Sequence, residues 1–315
     1  MDLSVVIPIY NEEQNIGLLY ERLQAVLSTL PQSYEVILVN DGSKDQSARM
    51  LDEIYAKDAA HVRVVHFNGN FGQHMAIMAG FEQSIGKTVV TLDADLQNPP
   101  EEIPKLLAEI AKGHDIVEGV RQVRKDNAFR RYASRLNNWI RQKTTGIRLQ
   151  DQGSMLRAYD RRVVELMLMS KERSTFIPAL AYSYASNPGF INVDHAERNL
   201  GKSKYSLMRL FRLHFDLMAG FSSAPLQFVT LTGMGVSFLS FLFVIYMIIR
   251  RIVLGPEAEG LFTLFAIQFF LLGLLLFSVG IVGEYIGRIY LEVRRRPRYV
   301  IRKTLSAEEK HDHSI

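Results

Sequence analysis

Two carboxylates one residue apart, Asp93 and Asp95, follow a short apolar run at residues 89–92. A β-branched run of that length reads as a buried strand. Where the chain leaves the sheet, both side chains can turn toward one oxygen-seeking cation. Mg²⁺ and Mn²⁺ take few carboxylates from a protein and fill their shells with phosphate oxygens and water. A cation held in this way neutralises a diphosphate leaving group. Asp-x-Asp also occurs as an ordinary turn that caps a helix, so the neighbours of the pair must decide.

Residues 3–9, 36–39, 62–67 and 116–120 are further short, β-branched strand candidates. Between the strands, residues 14–27, 47–57, 72–85 and 100–112 have helical spacing. Helix-start signals precede three of them: Asn11 and Glu12, Ser43 and Asp45, and Pro99-Pro100. Strands alternating with helices predict an α/β domain with a mostly parallel sheet and helices on both faces. Ligands of such sheets bind outside the carboxyl ends of the strands. The residues expected there are Pro8-Ile9-Tyr10-Asn11-Glu12, Asn40-Asp41-Gly42-Ser43, Asn68-Gly69-Asn70-Phe71-Gly72-Gln73-His74 and Asp93-Ala94-Asp95-Leu96-Gln97-Asn98. Carboxylates and amides gather on one edge. Neither Gly-x-Gly-x-x-Gly nor a Gly-Lys-Ser/Thr loop follows the first strand. The expected ligand is still a nucleotide, held by side chains rather than by a glycine cradle.

The chain has 315 residues, 48% hydrophobic and 22% charged, with no cysteine and a net charge of +4. Mean hydropathy is +0.02. This excludes a disordered chain, a disulfide scaffold, a thiolate metal site and a cysteine nucleophile. The average conceals two regimes. No charge occurs at residues 226–249, nor at 260–283. As a helix each run is about 36 Å long, against a hydrocarbon core of roughly 30 Å. Two transmembrane helices are therefore predicted. Met1-Asp2-Leu3 has no basic leader character, so the first domain is expected to stay in the cytoplasm. Arg288, Arg294, Arg295, Arg296, Arg298, Arg302 and Lys303 outweigh Arg250 and Arg251 of the short loop, which predicts both termini inside. Residues 127–143 and 205–221 carry apolar and basic faces at helical spacing, as interfacial helices do; an ordinary core-facing helix is the competing reading, less so for the second, which leads into a span. The basic segment from Arg294 reads as an anchor on anionic lipid, with too few aromatics for a nucleic-acid site. His74 and His195 lack zincin spacing and read as packing or hydrogen-bonding residues. The domain layout expected is a catalytic domain at 1–204, a juxtamembrane helix at 205–224, a membrane hairpin at 225–284 and a basic tail at 285–315.

Ser4-Val5-Val6-Ile7-Pro8-Ile9-Tyr10-Asn11-Glu12, Asn40-Asp41-Gly42-Ser43 and Asp93-Ala94-Asp95-Leu96-Gln97 resemble the GT-A fold, family 2 glycosyltransferases. With two C-terminal spans, the chain resembles the polyprenyl-phosphate glycosyltransferases, a group that includes dolichol-phosphate mannose synthase. Gly72-Gln73-His74, Glu172-Arg173-Ser174-Thr175-Phe176, His195-Ala196-Glu197-Arg198, Gly201-Lys202-Ser203-Lys204-Tyr205 and Gly283-Glu284-Tyr285-Ile286-Gly287-Arg288 narrow this to the bacterial enzymes that move 4-deoxy-4-formamido-L-arabinose onto undecaprenyl phosphate. The chain departs at Asp151-Gln152-Gly153-Ser154, where those enzymes carry Asp-Tyr-Gly-Cys.

The resemblance implies a UDP-sugar donor, Mg²⁺ or Mn²⁺, an undecaprenyl-phosphate acceptor and single-displacement inversion on the inner-membrane cytoplasmic leaflet. It implies that Pro8, Tyr10 and Glu12 line the nucleoside end and that Asp41 bonds uracil. A Tyr can stack on the ring and an Asp can accept its N3–H; an ordinary Asp-Gly turn is the competing reading of Asp41. Asp93 and Asp95 are implied at the metal and diphosphate, Asp95 as the more direct ligand. Gln97 is implied near the sugar, and Asp151 at the acceptor as base or orienter. Arg121, Arg198, Ser203 and Lys204 are candidates for the acceptor phosphate and diphosphate, Arg as a fork and Lys as a point charge. Relatives imply a homo-oligomer, with a tetramer as one form. Transfer of glucose or another hexose to the same lipid is the nearest rival. A noncatalytic sugar-nucleotide-binding anchor is the rival of a different class. A processive synthase is disfavoured because the single tryptophan, Trp139, follows Asn137-Asn138 and makes no Gln-x-x-Arg-Trp motif.

Overall fold

A computed structural model of the chain describes residues 1–121, 155–170, 176–194, 224–254, 261–294 and 296–307. The chain divides into two compact units. The first comprises Met1–Asn138, Ile147–Ser203 and Arg296–Ile315; the second comprises Trp139–Gly146 and Lys204–Arg295.

In the first unit β1 (Leu3–Ile9), β2 (Tyr34–Asn40), β3 (Val62–Phe67) and β4 (Thr88–Thr91) alternate with α1 (Ile16–Leu27), α2 (Ser47–Lys57) and α3 (Gln73–Gln83). A short 3₁₀ turn, Pro100–Glu102, leads into α4 (Ile103–Ile110). Then come β5 (Ile116–Arg121), β6 (Arg157–Asp160), α5 (Arg161–Met169), α6 (Ile177–Tyr184) and β7 (Pro188–Val193). With β8 (Ile301–Leu305), the strands form one sheet in the order β7-β5-β6-β4-β1-β2-β3-β8. The strands β4, β1, β2 and β3 are mutually parallel, as the alternating pattern predicts. β6 runs antiparallel to both β4 and β5. The sheet is therefore mixed but mostly parallel, in an α/β fold of the GT-A type.

The strands β1 to β4 are apolar on both faces because helices cover both. On one side Val5, Ile7, Leu38 and Val64 pack with Leu19, Leu23 and Leu51; on the other Val6, Ile37 and Val65 pack with Ile77 and Phe81. α3 can lie this close to β1 because Gly80 has no side chain: a Cβ there would stand 2.2 Å from Val6 Cγ1. Pro8, a residue without an N–H, is tolerated within β1 for a positional reason. The Val6 carbonyl faces β4 and accepts the Leu92 amide at 3.1 Å. Two residues on, Pro8 faces the same side, beyond the last β4 ladder pair, Val6 with Thr91.

Within residues 285–315, read from sequence as a basic tail, lies β8, which pairs antiparallel with β3. The Asn68 amide donates to the Val300 carbonyl at 3.0 Å, and Tyr299 stacks on Phe67 with ring centroids 4.9 Å apart. Arg298 Nη2 donates to the Ser170 carbonyl. The lysine and arginine content hid this strand, because charge is common on exposed edge strands.

The second unit contains α7 (Ala224–Leu254) and α8 (Leu261–Val293). Leu226–Arg250 and Ile267–Val293 are long and apolar enough to cross a membrane, with a mean hydropathy of 2.1 each. Their described side chains are mostly exposed, including Phe238, Phe241, Leu242, Phe269 and Leu276. A core helix of a soluble protein would be buried. α8 runs ten residues past the end of the uncharged stretch at 283, so Glu284 and Glu292 belong to the helix. The segments 127–143 and 205–221, read from sequence as interfacial helices, lie outside the described residues.

Candidate nucleotide and cation site

Because β4, β1, β2 and β3 run parallel, their carboxyl ends bring four loops to one edge. The loops after β1 and β2 are joined by short polar side chains. The Asn11 amide donates to Ser43 Oγ at 3.0 Å, and the Lys44 amide to Asn11 Oδ1 at 2.8 Å. The Glu12 amide donates to Ser47 Oγ at 3.0 Å, and the Glu13 amide to Asp45 Oδ2 at 3.2 Å. Asn11 holds φ at 55°, a left-handed conformation that Asn adopts more readily than most residues. Tyr10 leaves its side chain exposed at this edge, while Pro8 is buried in β1. The Glu12 carboxylate accepts Asn15 Nδ2 at 2.6 Å.

Asp41 is only 2% exposed. Its Oδ1 accepts the Phe71 amide at 2.6 Å and its Oδ2 the Gly72 amide at 2.9 Å. Burial pushes its carboxyl above the ordinary value, and the two amides oppose that shift. Next to it Gly42 has φ +68°, and a Cβ there would lie 2.4 Å from the Gly69 carbonyl carbon. The turn after β2 and the loop after β3 thus interlock backbone to backbone.

Asp93 stands just past β4. Its Oδ1 accepts Gln73 Nε2 at 2.6 Å; its Oδ2 accepts Asn98 Nδ2 at 3.0 Å and the Met155 amide at 3.2 Å. Burial, and then the charge of Asp95, push its carboxyl up to about 6. Asp95 Oδ1 accepts the amide of Gln97 at 3.1 Å. Leu96, between Asp95 and Gln97, has φ +59°. A branched residue is strained there, and such strain collects at functional turns. Two neighbouring half-buried carboxylates of like charge form a donor set that suits Mg²⁺ or Mn²⁺. Among the described residues no group of three His, Cys, Asp or Glu forms a metal cluster. A hard cation that draws its other ligands from phosphate needs none.

Beneath Asp93 lies a buried ion pair. Arg157 Nη2 meets Glu118 Oε1 at 2.8 Å, both side chains being wholly inaccessible. Tyr182 Oη donates to Glu118 Oε2 at 2.8 Å. Arg157 helps hold Asp93 ionised and His74 neutral. Burial is the larger cause at His74, bringing it to about 4. That ring packs edge-on against Phe176 at 5.1 Å.

Of the residues singled out from sequence, Pro8, Tyr10, Glu12, Asp41, Asp93, Asp95 and Gln97 stand at this edge. Arg121 is the last residue of β5, which runs in the same direction as β4 and so ends there too. Asp151, Arg198, Ser203 and Lys204 lie outside the described residues, as does His195. Gln73 and Asn98 were visible as strand-end amides. Their role as donors to Asp93 was not, because it depends on how α3 and the β4 loop fold back.

The pattern of Glycosyl transferase family 2 matches residues 4–168. The undecaprenyl-phosphate 4-deoxy-4-formamido-L-arabinose transferase of Yersinia enterocolitica is 48% identical over 98% of this chain and 94% of that protein. The enzyme of the same name from Pseudomonas paraeruginosa is 48% identical over 97% and 91%. Among solved structures, Staphylococcus aureus TarS 1-349 in complex with UDP-GlcNAc gives a TM-score of 0.47 at 19% identity, over 70% of this chain and 66% of that one. The family pattern spans the site-bearing strands, and the likeness to the two transferases continues through both apolar helices to the end of the sheet. The chain belongs to glycosyl transferase family 2 and is a glycosyltransferase.

Proposed function

We propose that the chain transfers 4-deoxy-4-formamido-L-arabinose from its UDP-linked donor to undecaprenyl phosphate, on the cytoplasmic leaflet of the inner membrane, for lipid A modification. The observation that carries this reading is the meeting of Asp93 and Asp95 with the loops after β1 and β2 on one sheet edge. The sugar and the lipid acceptor rest on the nearly full-length likeness to the Yersinia and Pseudomonas transferases.

In this reading Pro8, Tyr10, Glu12 and Asp41 hold the nucleoside, and Gln97 faces the sugar. Asp95, supported by Asp93, would hold Mg²⁺ or Mn²⁺, which when bound supplies positive charge to the diphosphate leaving group. Arg121, Arg198, Ser203 and Lys204 bind acceptor phosphate and diphosphate. A phosphate monoester has its second pKa near 6, so at neutral pH the acceptor needs little deprotonation before attack. Asp151 therefore orients the acceptor more than it abstracts a proton. One in-line displacement inverts the anomeric carbon, and no covalent enzyme intermediate is required. α7 and α8 anchor the chain in the bilayer with both termini inside.

The test is mass spectrometry of lipid products after the purified chain meets undecaprenyl phosphate and a panel of UDP-sugars. A lipid-monophosphate 4-formamido-arabinose product, lost in Asp95→Asn, is expected. Preferred transfer of glucose would replace the sugar assignment, and absence of turnover with every donor would favour a noncatalytic anchor.

A further inference from the structure

His66 lies in β3 opposite Lys303 of β8. Its Nδ1 is 3.0 Å from Asn40 Nδ2, and its Nε2 is 2.9 Å from Asp52 Oδ1. The bonding of Asn40 fixes the tautomer. Asn40 Oδ1 accepts the Ser43 amide at 2.9 Å, so its NH₂ is the group turned to the ring. Nδ1 must then accept, and the ring proton sits on Nε2, facing the Asp52 carboxylate. Asp52 also meets Lys303 Nζ at 3.3 Å. Ser43 in turn takes the Asn11 amide on its Oγ. One hydrogen-bonded path therefore runs from β8 through α2 and β3 to the loops that carry Asn11 and Asp41.

We propose that His66, as a neutral imidazole protonated on Nε2, is a positioning residue for the nucleoside end of the site: it fixes Asn40, and through Asn40 the turn that carries Asp41. The inference rests on the nucleotide reading of that turn given above. His66 itself touches none of the reacting atoms.

The charged groups that face the ring are Asp52 on α2 and Lys303 and Arg302 on β8. Burial lowers the His66 pKa below its ordinary value, the two cations push the same way, and Asp52 opposes them. Protonation places a hydrogen on Nδ1 against the Asn40 NH₂. Two donors then face each other and the bond is lost.

The test is a calorimetric titration of the full chain in detergent with UDP. Wild-type affinity should weaken as the pH falls below the ordinary histidine range, with Asp93 and the terminal phosphate of UDP titrating on the way down. His66→Leu should weaken UDP binding about tenfold at about pH 7.5, the scale of one lost hydrogen bond to a buried partner, and its gap from wild type should narrow as the pH falls. His66→Asn keeps an acceptor near the Nδ1 position and should stay within about threefold of wild type at about pH 7.5. His66→Gln reaches toward Asp52 but not Asn40 and should resemble His66→Leu. Turnover at saturating donor should change by less than about twofold in each. UDP affinity equal to wild type in all three variants, or a His66→Asn variant as weak as His66→Leu, overturns the proposal. If His66→Leu does not fold, the contrast between the Asn and Gln variants decides. Wild-type protein with no affinity for UDP overturns the nucleotide reading as well, and so separates the two failures.

Discussion

Gln73 Nε2 stands 2.6 Å from Asp93 Oδ1, tying the first residue of α3 to the carboxylate at the end of β4. Hydrogen bonds to charged groups contribute about 1.5–3 kcal/mol. Gln73→Ala leaves the Asn98 and Met155 donors on Asp93 Oδ2 and removes the Gln73 donor from Oδ1. Turnover should fall about tenfold or more while the KM for donor changes by less than about threefold, the pattern of an interaction felt mainly in the transition state. Steady-state kinetics with varied UDP-sugar would check this. An unchanged turnover number would remove Gln73 from the site.

Gly42→Ala should cost about 2 kcal/mol or more, because the residue sits in the left-handed region and its new methyl group would meet backbone. The strain falls on Gly69 and Asn70, next to the amides that bind Asp41. Loss of UDP affinity should therefore accompany the drop in melting temperature. A drop in stability with unaltered UDP binding would separate this turn from the nucleoside.

Arg157→Met removes the cation from the inaccessible Glu118 of β5, whose other oxygen keeps the Tyr182 hydroxyl. Breaking a buried pair from one side costs about 3–5 kcal/mol. The double change Arg157→Met with Glu118→Met should recover much of that stability, although not the positive charge below Asp93. Denaturant unfolding of the single and double variants would measure the coupling. Additive losses would contradict it.

His74 has its pKa depressed to about 4. A base depressed in the folded state is protonated first in the unfolded chain. Its contribution to stability is therefore complete above about pH 6.5 and is lost as pH falls toward about 4. His74→Phe should flatten the melting-temperature profile across that window. A profile parallel to that of the wild type would assign the acid limb to other groups.

The parallel heart of the sheet was legible because β1 to β4 are buried on both faces and their apolar runs stop where the strands stop. Residues 3–9 and 62–67 coincide with the observed strands, and α2 spans the expected 47–57. The site edge was legible for the same reason, since parallel strands must present their ends together. β6 was not, because residues 157–160 include an arginine and an aspartate and pair through contacts distant in the chain. β8 was hidden by its charges, and its partner β3 lies more than two hundred residues away. The ion pair of Glu118 with Arg157 was missed because charged residues are read as exposed unless a partner is known.

β8 also dictates an order of assembly. The ribosome makes this strand only after both apolar helices, yet β3 needs it as its outer neighbour. Until then the newborn sheet shows bare N–H and C=O groups along residues 64–67, a template for stray strands. A chain cut short within the hairpin keeps that raw margin permanently. Completion of the sheet thus reports that the greasy segment has already been translated.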